Sequence, residues 1–425
     1  MTFEEIAVAA KKAAFELASA STEKKDGALN AIADALRENV AEILEANALD
    51  ADAAKARNDS ASLVDRLSLN EQRIEGIASS IAEIVLLPDP VGEVLEDDFL
   101  RNGLHVRKVR VPLGVIGMIF EARPNVAVDA AVLCLKSGNS VILRGSSSTL
   151  NSNRKLVEVM RNAIASAGLP EDCVQLFDEE GHEAVKKMLA AHGLVDVIIP
   201  RGGAKLINFV VENSRVPVIE TGSGICHVFV DETADVEKAV KICVNAKTQR
   251  PSVCNAMESL LVHEKIAGNF LPKAAEALLA KGVELRVDEK SLALLGGLNA
   301  GGTEGKGAVK AANAEDFDTE FLDLILAVKQ VADADEAIAH INAHGTHHSD
   351  SIVSGDAKNI HKFLDRVDSA AVYANASTRF TDGGVFGLGA EMGISTQKLH
   401  CRGPFALNEL TSVKFVIEGN GQIRD

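Results

Sequence analysis

The sequence predicts an α/β protein with two α/β domains, and three observations support this fold class. The chain has 425 residues, 47% of them hydrophobic, which is too long for one core and enough for two or three domains. From residue 114 to residue 231, short β-branched runs alternate with helical runs, which is typical of a parallel sheet covered by helices. A second αβ pattern extends from residue 233 to about residue 403.

Composition and charge exclude several classes of partner. The net charge is -17 and no Lys/Arg block follows one face, so we expect no nucleic-acid partner. The N-terminus, Met1-Thr2-Phe3-Glu4-Glu5, is acidic, and no segment approaches about 18 consecutive apolar residues, so we expect a soluble, cytoplasmic protein with no membrane partner. Six cysteines without a C-x-x-C pair indicate reduced thiols rather than disulfides or a zinc site.

The N-terminal quarter of the chain predicts helices followed by a hairpin. Residues 1 to about 90 carry apolar stripes at helical spacing, and nothing in them suggests chemistry. From residue 88 to residue 112, valine-rich runs flank Asn102-Gly103, which is a strong signal for a β-hairpin.

The next stretch predicts a Rossmann-type, nucleotide-binding sheet. The predicted strands are 115–120, 140–143, 174–177, 195–199, 216–219 and 227–230. The predicted helices are 126–136, 152–167, 182–191 and 204–213. Such parallel sheets bind ligands outside the carboxyl ends of their strands.

Two of these strand ends are candidate anion sites. The first offers a guanidinium and hydroxyl groups, from Arg144, Ser146 and Ser147. The second, Gly202-Gly203, precedes a helix whose free N–H groups and dipole favour a phosphate. The residue pattern alone leaves open that both are ordinary β-to-α turns.

Two other glycine-rich stretches imitate nucleotide-binding motifs without matching them. Gly222-Ser223-Gly224 lacks the third glycine of the dinucleotide fingerprint and leads into a strand. Residues 300–307 lack the first Gly and the final Ser/Thr of a P-loop. We therefore reject both as nucleotide-binding motifs.

Cys254 is the candidate nucleophile. It follows a predicted helix and Pro251, and it precedes the strand-like run 259–262. Small neighbours leave the sulfur accessible, and Lys247 and Arg250 bring positive charge that would favour the thiolate. The pattern alone also allows an ordinary loop cysteine.

Four histidines, His340, His344, His347 and His348, suggest a metal site, but two features oppose it. Gly345 breaks the helix between them, and no third ligand type has a suitable spacing. We therefore predict no metal site.

The final strand, 413–417, has no obvious partner after it in the sequence. An unpaired strand near a chain end often adds to the sheet of another subunit. We therefore predict a homo-oligomer.

Several strings resemble the aldehyde dehydrogenase superfamily, in the same order along the chain. They are Pro112-Leu113-Gly114-Val115-Ile116-Gly117 leading to Arg123-Pro124-Asn125, then 138–144, then Glu220-Thr221-Gly222-Ser223-Gly224, and then Cys254. Longer strings are similar to the gamma-glutamyl phosphate reductase family within it, namely 119–125, 249–251 with 254–256, 375–384 and 389–396. The resemblance covers essentially the whole chain and identifies Cys254 as the catalytic thiol.

The resemblance implies an aldehyde dehydrogenase-like fold and a division of the chain. Residues 1–91 and 112–230 would form the NADP-binding domain, and residues 231–405 the catalytic domain. Residues 92–111 and 406–425 would form a small oligomerisation element, a hairpin and a strand. The homo-oligomer would then be a dimer or a dimer of dimers.

The resemblance also implies an activity. It is the NADPH-dependent reduction of L-glutamate 5-phosphate to L-glutamate 5-semialdehyde and phosphate, through a thioester on Cys254, as the second step of proline biosynthesis. The glutamate 5-kinase of that pathway would be a separate protein, because this chain has no room for a second catalytic unit.

The resemblance assigns roles to further residues. Catalytic roles fall to Cys254, to the Asn125 amide as an oxyanion donor, and to Glu220, whose task in a reaction without water is open. The NADP ligands would be Arg144, Ser146, Ser147, Gly202, Gly203 and Glu320. The substrate ligands would be Arg123, Arg250, Asn375, Ser377, Thr378 and Arg379. A cation at Arg144 followed by serines instead of an acidic residue favours the 2′-phosphate of NADP.

Two other functions stay open. One is the oxidation of a free aldehyde with NAD(P) by another type of aldehyde dehydrogenase. The other is a nucleotide-binding scaffold without turnover, against which the joint presence of Cys254, Asn125 and Glu320 argues.

Overall fold

The computed structural model describes residues 1–298 and 307–424, which form two compact units. The first unit contains Met1–Thr221, Gly387–Gly393 and the segment from Phe405 onwards. The second contains Gly222–Phe386 and Ile394–Pro404. The glycine-rich stretch 300–307 lies outside the described residues, except for Gly307. Within the described residues, no helix is both long and apolar enough to span a membrane.

The predicted N-terminal helices are present in the first unit. They are α1 Phe3–Leu17, α2 Thr22–Glu38, α3 Val40–Ala56, α4 Ala61–Leu67 and α5 Glu71–Val85. Their apolar stripes are buried because α2 packs against α5 and against a later helix of the same unit.

A three-stranded antiparallel sheet follows, in the order β1-β2-β16. Its strands are β1 Val94–Phe99, β2 His105–Pro112 and β16 Thr411–Glu418. The hairpin predicted at Asn102-Gly103 is confirmed, and Gly103 has a φ of 85°, which a glycine adopts readily. The final strand, for which the sequence offers no partner after it, is paired with an earlier strand of this chain. It pairs with β2, from Thr411 opposite Pro112 to Glu418 opposite His105, because the second hairpin strand leaves one edge open to it.

The predicted Rossmann-type sheet of the first unit has four parallel strands in the order β5-β4-β3-β6. They are β3 Val115–Phe120, β4 Ser140–Arg144, β5 Val174–Leu176 and β6 Val197–Arg201. The helices between and after them are α6 Asn125–Lys136, α7 Leu150–Ser166, α8 His182–Leu189 and α9 Ala204–Asn213. Strand β3 pairs with both β4 and β6. Arg144 and Arg201, the last residues of β4 and β6, therefore lie on either side of the carboxyl end of β3.

Two predicted strands of this sheet are corrected. Residues 216–219 make only an isolated bridge, Val218 to Ile198. Residues 227–230 belong to β7 Cys226–Val230, which pairs with strands of the second unit and not with β6. The chain therefore enters the second unit at Gly222, earlier than the predicted boundary after residue 230. The sequence does not reveal this boundary, because a buried apolar strand has the same residue pattern in either sheet. The roles assigned to the domains stay predictions.

The second unit contains a parallel sheet of seven strands, in the order β10-β9-β11-β8-β7-β12-β13. Besides β7, its strands are β8 Met257–His263, β9 Glu284–Val287, β10 Val309–Ala311, β11 Ile325–Val331, β12 Ser349–Val353 and β13 Ala371–Ala374. Its helices are α10 Val236–Thr248, α11 Glu264–Leu279, α12 Glu289–Leu295, α13 Ala334–His344 and α14 Ala357–Arg366. Apolar clusters cover both faces of the sheet. The short strands β14 Gly393–Ser395 and β15 Gly403–Phe405 pair with each other.

Candidate active site

Cys254 lies in the turn between α10 and β8, as predicted. Pro251 follows the end of α10 at Thr248, since a proline cannot continue the hydrogen bonding of a helix. The other five cysteines are buried, whereas Cys254 is half-buried. Burial raises the pKa of Cys173 to about 12, and it raises the pKa of Cys226 well above the ordinary value. Cys254 is therefore the thiol best exposed to a reactant.

A histidine that the sequence did not suggest for this role contacts Cys254. His348 Nε2 lies 3.1 Å from Cys254 Sγ, although 94 positions separate the two residues. The His348 side chain is fully buried, and its Nδ1 lies 2.8 Å from Ser349 Oγ. An imidazole at this distance can hold the proton of the thiol. In the sequence, the histidines near His348 suggest only a metal ligand, because Cys254 is 94 positions away.

The positive charge expected from Lys247 is not available to the thiol. Lys247 is fully buried, and its Nζ lies 2.5 Å from Glu258 Oε2. Burial lowers the pKa of Lys247 and raises the pKa of Glu258 to about 7. The attraction between the two charges shifts both pKa values in the opposite direction, but burial has the larger effect. Glu258 also accepts from the Leu322 N–H at 3.1 Å, so this ion pair holds the segment before β11.

Arg379, which was predicted as a substrate ligand, supplies positive charge near Cys254. Its Nε donates to Gln249 Oε1 at 2.8 Å, and its guanidinium interacts electrostatically with Cys254 and with the exposed Arg250. Burial lowers the pKa of Arg379, and the Cys254 sulfur opposes this effect. Because arginine stays protonated in proteins, Arg379 favours the thiolate form of Cys254.

The remaining residues predicted to bind the substrate have structural partners of their own. Thr378 Oγ1 donates to the Asn255 carbonyl at 2.7 Å, and Ser377 Oγ accepts from the Arg379 N–H at 3.3 Å. The Thr378 contact attaches the segment after β13 to the Cys254 turn, whereas the Ser377 contact lies within that segment. The Asn375 side chain instead forms two hydrogen bonds with the backbone of Ser354, beyond the carboxyl end of β12. Its Oδ1 accepts from the Ser354 N–H, and its Nδ2 donates to the Ser354 carbonyl. The structure thus brings Thr378 and Arg379 to the Cys254 turn but not Asn375.

Gly224 connects the predicted cofactor residue Glu320 to the same turn. Its N–H donates to Glu320 Oε1 at 2.7 Å. A Cβ atom on Gly224 would overlap the Cys254 carbonyl, so the close approach of the two backbones requires glycine here. Burial raises the pKa of Glu320, while the Gly224 N–H and His348 lower it. The second glycine of Gly222-Ser223-Gly224 is thus explained by packing.

In the first unit, Asn125 is the first residue of α6, and its side chain is fixed within that helix. Asn125 Nδ2 donates to Asp129 Oδ2 at 3.0 Å, across one helical turn. Burial raises the pKa of Asp129 to about 6, against the effects of Asn125 and Arg201. An amide has two N–H groups, so the bond to Asp129 leaves the second one for another acceptor. Arg123, just before α6, and Glu220 are half-buried, and both have partners of their own.

The two anion sites predicted in the first unit differ from expectation. Arg144 is buried at the end of β4, and within the described residues its Nε has no hydrogen-bond partner. Burial lowers the pKa of Arg144, and three carboxylates act against this effect, from Glu180, Glu179 and Asp178. Only serines follow Arg144 directly in the sequence, whereas these carboxylates follow a different strand, β5.

The hydroxyl groups and glycines of these two sites have local contacts. Ser146 Oγ accepts from the Ser148 N–H at 3.2 Å and precedes a single 3-10 turn that contains Ser147. The helix predicted after Gly203 is confirmed, but the Gly203 N–H that was expected to be available for a phosphate already has an acceptor. The Gly203 N–H donates to Glu121 Oε2 at 2.9 Å, since a carboxylate also suits a helix N-terminus.

Comparisons with known proteins agree with this architecture. Residues 1–291 match the model of the aldehyde dehydrogenase family. A gamma-glutamyl phosphate reductase from Clostridium perfringens (strain 13 / Type A) is 53% identical over 415 residues, which are 98% of this chain and 97% of the relative. One from Koribacter versatilis is 53% identical over 424 residues and 100% of both chains. The crystal structure of gamma-glutamyl phosphate reductase from Thermotoga maritima has a TM-score of 0.95 and 47% identity, covering 99% of each chain.

Proposed function

Because the chain belongs to the aldehyde dehydrogenase family, we propose that it reduces L-glutamate 5-phosphate to L-glutamate 5-semialdehyde and phosphate with NADPH. The chain is an oxidoreductase of that family, and relatives 53% identical over nearly its full length are named gamma-glutamyl phosphate reductase. In this proposal it performs the second step of proline biosynthesis. The observation that carries the chemistry is the half-buried Cys254 thiol, 3.1 Å from an imidazole.

Cys254 acts as the nucleophile in this mechanism. Its thiolate attacks the carbonyl carbon of the acyl phosphate, and the C–O bond to phosphate breaks, which leaves a thioester on the sulfur. NADPH, when bound, supplies the hydride that reduces this thioester. The C–S bond then breaks and releases the aldehyde, while the electron pair returns to sulfur.

The developing oxyanion needs hydrogen-bond donors. The resemblance assigns this task to the Asn125 amide, and the Cys254 N–H is a second candidate. Each well-placed donor contributes about 3 kcal/mol of transition-state stabilisation. The Asn125–Asp129 hydrogen bond supports the assignment, because it fixes the amide and leaves one N–H to donate.

The residues assigned to NADPH fit it in part. The buried Arg144 Nε, without a partner among the described residues, suits an anion such as the 2′-phosphate. The Glu320 carboxylate can accept from ribose hydroxyls besides Gly224, and Ser146 and Ser147 add hydroxyl groups. Gly202 and Gly203 fit less well, because Glu121 already accepts from Gly203. The carboxylates near Arg144 also weaken the preference for a 2′-phosphate that the sequence suggested.

The substrate carries a phosphate and an α-carboxylate, which require cations. Arg379 interacts electrostatically with Cys254 and with Arg250, and these two arginines are candidates from the second unit for binding these anions. Arg123 stays a proposed ligand from the first unit, and Ser377 stays a proposed hydrogen-bond donor. The contact of Thr378 with the Asn255 carbonyl weakens its assignment, because it uses the one O–H of that hydroxyl. The contacts of Asn375 with Ser354 weaken its assignment. Glu220 activates no water in this proposal, because hydrolysis would divert the thioester to glutamate.

The mode of assembly is also proposed. Strand β16 is an edge strand, and Phe415 and Ile417 on it are 60% and 57% exposed. An exposed apolar edge favours pairing with a second copy of the chain. We therefore retain a homo-oligomer, for which this sheet provides the surface, and a separate glutamate 5-kinase as the source of the substrate.

The reverse reaction tests this function. Purified protein is supplied with glutamate semialdehyde and NADP, with and without inorganic phosphate or arsenate. We expect NADP reduction only when one of these anions is present, because the thioester must be released by an oxyanion. Oxidation without either anion would point to hydrolytic aldehyde oxidation, and NADPH binding without any turnover would point to a scaffold.

A further inference from the structure

We propose that His348 is a catalytic residue of this chain, which takes the thiol proton from Cys254 and keeps the sulfur as a thiolate. The catalytic half of this inference rests on the proposed function, whereas the acid-base half concerns the free protein. Its first support is geometric, since His348 Nε2 lies 3.1 Å from Cys254 Sγ. The fully buried imidazole sits at the amino end of β12, and the half-buried sulfur precedes the amino end of β8.

The second support is a chain of hydroxyl groups behind the imidazole. His348 Nδ1 lies 2.8 Å from Ser349 Oγ, and Ser349 Oγ lies 2.7 Å from Thr381 Oγ1. Thr381 Oγ1 lies 2.7 Å from the hydroxyl of Tyr373, the only tyrosine of the sequence. If each group donates to the next, Nδ1 carries a hydrogen and Nε2 is left to accept the thiol proton. Ser349, Thr381 and Tyr373 are therefore positioning residues.

The charges around the pair favour a thiolate and an imidazolium. Arg379 brings positive charge to the sulfur, and Glu320 interacts electrostatically with His348. Cys226 lies 3.8 Å from His348 Nδ1, but burial raises its pKa well above the ordinary value, so it stays neutral. Burial also raises the pKa of Tyr373, so the relay ends in a neutral phenol. Asp350, on the same strand as the relay, is paired with His227 at 2.9 Å.

The proposed steps balance. The S–H bond of Cys254 breaks and its proton forms an N–H bond at His348 Nε2, which gives a thiolate and an imidazolium. The thiolate forms the C–S bond as phosphate departs with the electron pair of the broken C–O bond. After hydride transfer from the reduced nicotinamide, the C–S bond breaks and its electron pair returns to sulfur. The imidazolium supplies the proton that the departing phosphate takes up, and a proton from the solvent restores the protonated Cys254–His348 pair after the aldehyde has left.

Alkylation of the free protein tests the acid-base half without substrate or cofactor. The rate of reaction with iodoacetamide is measured against pH, with Cys254→Ser as the background, since the other five cysteines are buried. We expect a wild-type midpoint clearly below the value of about 8.5 for an ordinary cysteine. In His348→Gln the midpoint should move up towards that value, and the rate near neutral pH should fall about 10-fold or more. His361→Gln, exposed on α14, should behave as wild type.

Two further measurements decide the case if His348→Gln does not fold. The ultraviolet absorbance of the thiolate, as the difference between wild type and Cys254→Ser, should titrate below the ordinary cysteine range. Ser349→Ala, which removes only the partner of Nδ1, should raise that midpoint by a smaller amount. An ordinary thiol midpoint in the wild-type protein, or identical midpoints in wild type and the folded variants, would overturn the proposal.

Turnover tests the catalytic half. His348→Gln should lower kcat for the reduction about 100-fold, with little change in KM, and should shift the acidic limb of the pH profile. His361→Gln should retain wild-type kinetics. A shifted thiol midpoint without measurable reductase activity in the wild type would leave the acid-base role standing and contradict only the proposed function. A shifted midpoint with unchanged kcat would overturn the catalytic role.

Discussion

Asn125 and Cys254 each form a hydrogen bond with a polar neighbour, but the two neighbours lie at very different separations in the sequence. Asn125 reaches Asp129, four positions later in the same helix, whereas Cys254 contacts His348, 94 positions away. The first contact depends on one turn of α6. The second depends on the pairing of β7 with both β8 and β12, which brings the starts of two distant strands together.

This difference teaches which parts of each unit are sensitive to change. In the first unit, the proposed oxyanion donor is fixed by its own helix and should tolerate changes elsewhere in the sheet. In the second unit, the position of the proposed nucleophile depends on strand order and on the buried Lys247–Glu258 ion pair, which joins α10 to β8. Changes within the second unit should therefore affect stability and chemistry together.

The largest effect is expected at the nucleophile of the second unit. Cys254→Ala should abolish reduction of L-glutamate 5-phosphate, because no thioester can form. Binding of NADPH, measured by fluorescence titration, should persist. The matched control Cys401→Ala removes a buried cysteine of the same unit and should retain turnover. A near-normal rate in Cys254→Ala would contradict the mechanism.

The next effect tests how strongly the second unit depends on its buried ion pair. Glu258→Gln leaves the Lys247 charge buried without its counterion, which should cost about 3 kcal/mol of unfolding free energy. Thermal or urea denaturation measures this loss. Replacing both partners, as Lys247→Met with Glu258→Leu, should cost much less. Glu264→Gln, which breaks an exposed pair with Lys290 in the same unit, should be nearly neutral.

A comparable change in the first unit should affect catalysis rather than folding. Asn125→Ala should lower kcat about 100-fold, because an oxyanion donor is lost, and should leave the melting temperature almost unchanged. Steady-state kinetics and a melting curve of the same preparation separate the two effects. The control Asn162→Ala, exposed on α7, should change neither. Equal kcat in Asn125→Ala and wild type would remove Asn125 from the mechanism.

The smallest effect concerns how the stability of the folded protein changes with pH because of Asp129, the hydrogen-bond partner of Asn125. Asp129 has a pKa of about 6 in the folded protein, against an ordinary value of 3.8. Between these two values the folded state holds more protons than the unfolded state, so stability falls as the pH rises and is constant above the folded pKa. The total loss is at most about 3 kcal/mol, and less because the side chain is partly exposed.

Asp129→Asn should abolish this dependence. The melting temperature of the variant relative to wild type should therefore increase between about pH 4 and about pH 7. Asp34→Asn, at an exposed position of α2, should show no such trend. A difference between Asp129→Asn and wild type that stays constant over this range would show that the Asp129 carboxyl titrates normally in the folded protein.

Much of the architecture followed from local patterns. The hairpin at Asn102-Gly103, the helices from Asn125 and Ala204, and the turn that carries Cys254 were all predicted, because turn residues and apolar spacing act over a few positions. The predictions that failed concern partners. Residues 216–219 make only an isolated bridge, and 227–230 joins the second sheet, since strand pairing is set by contacts between distant segments.

The sequence by itself determined the fold class and the family, and it singled out Cys254 as the proposed nucleophile, because these depend on periodicity and on strings of adjacent residues. Only the tertiary structure decided which groups surround that cysteine. It placed His348 against the sulfur, paired Lys247 with Glu258, and directed Asn375 to Ser354. The physical reason is that hydrogen bonds and charge interactions act over a few ångströms in space, and the sheet, rather than the order of the chain, sets those distances.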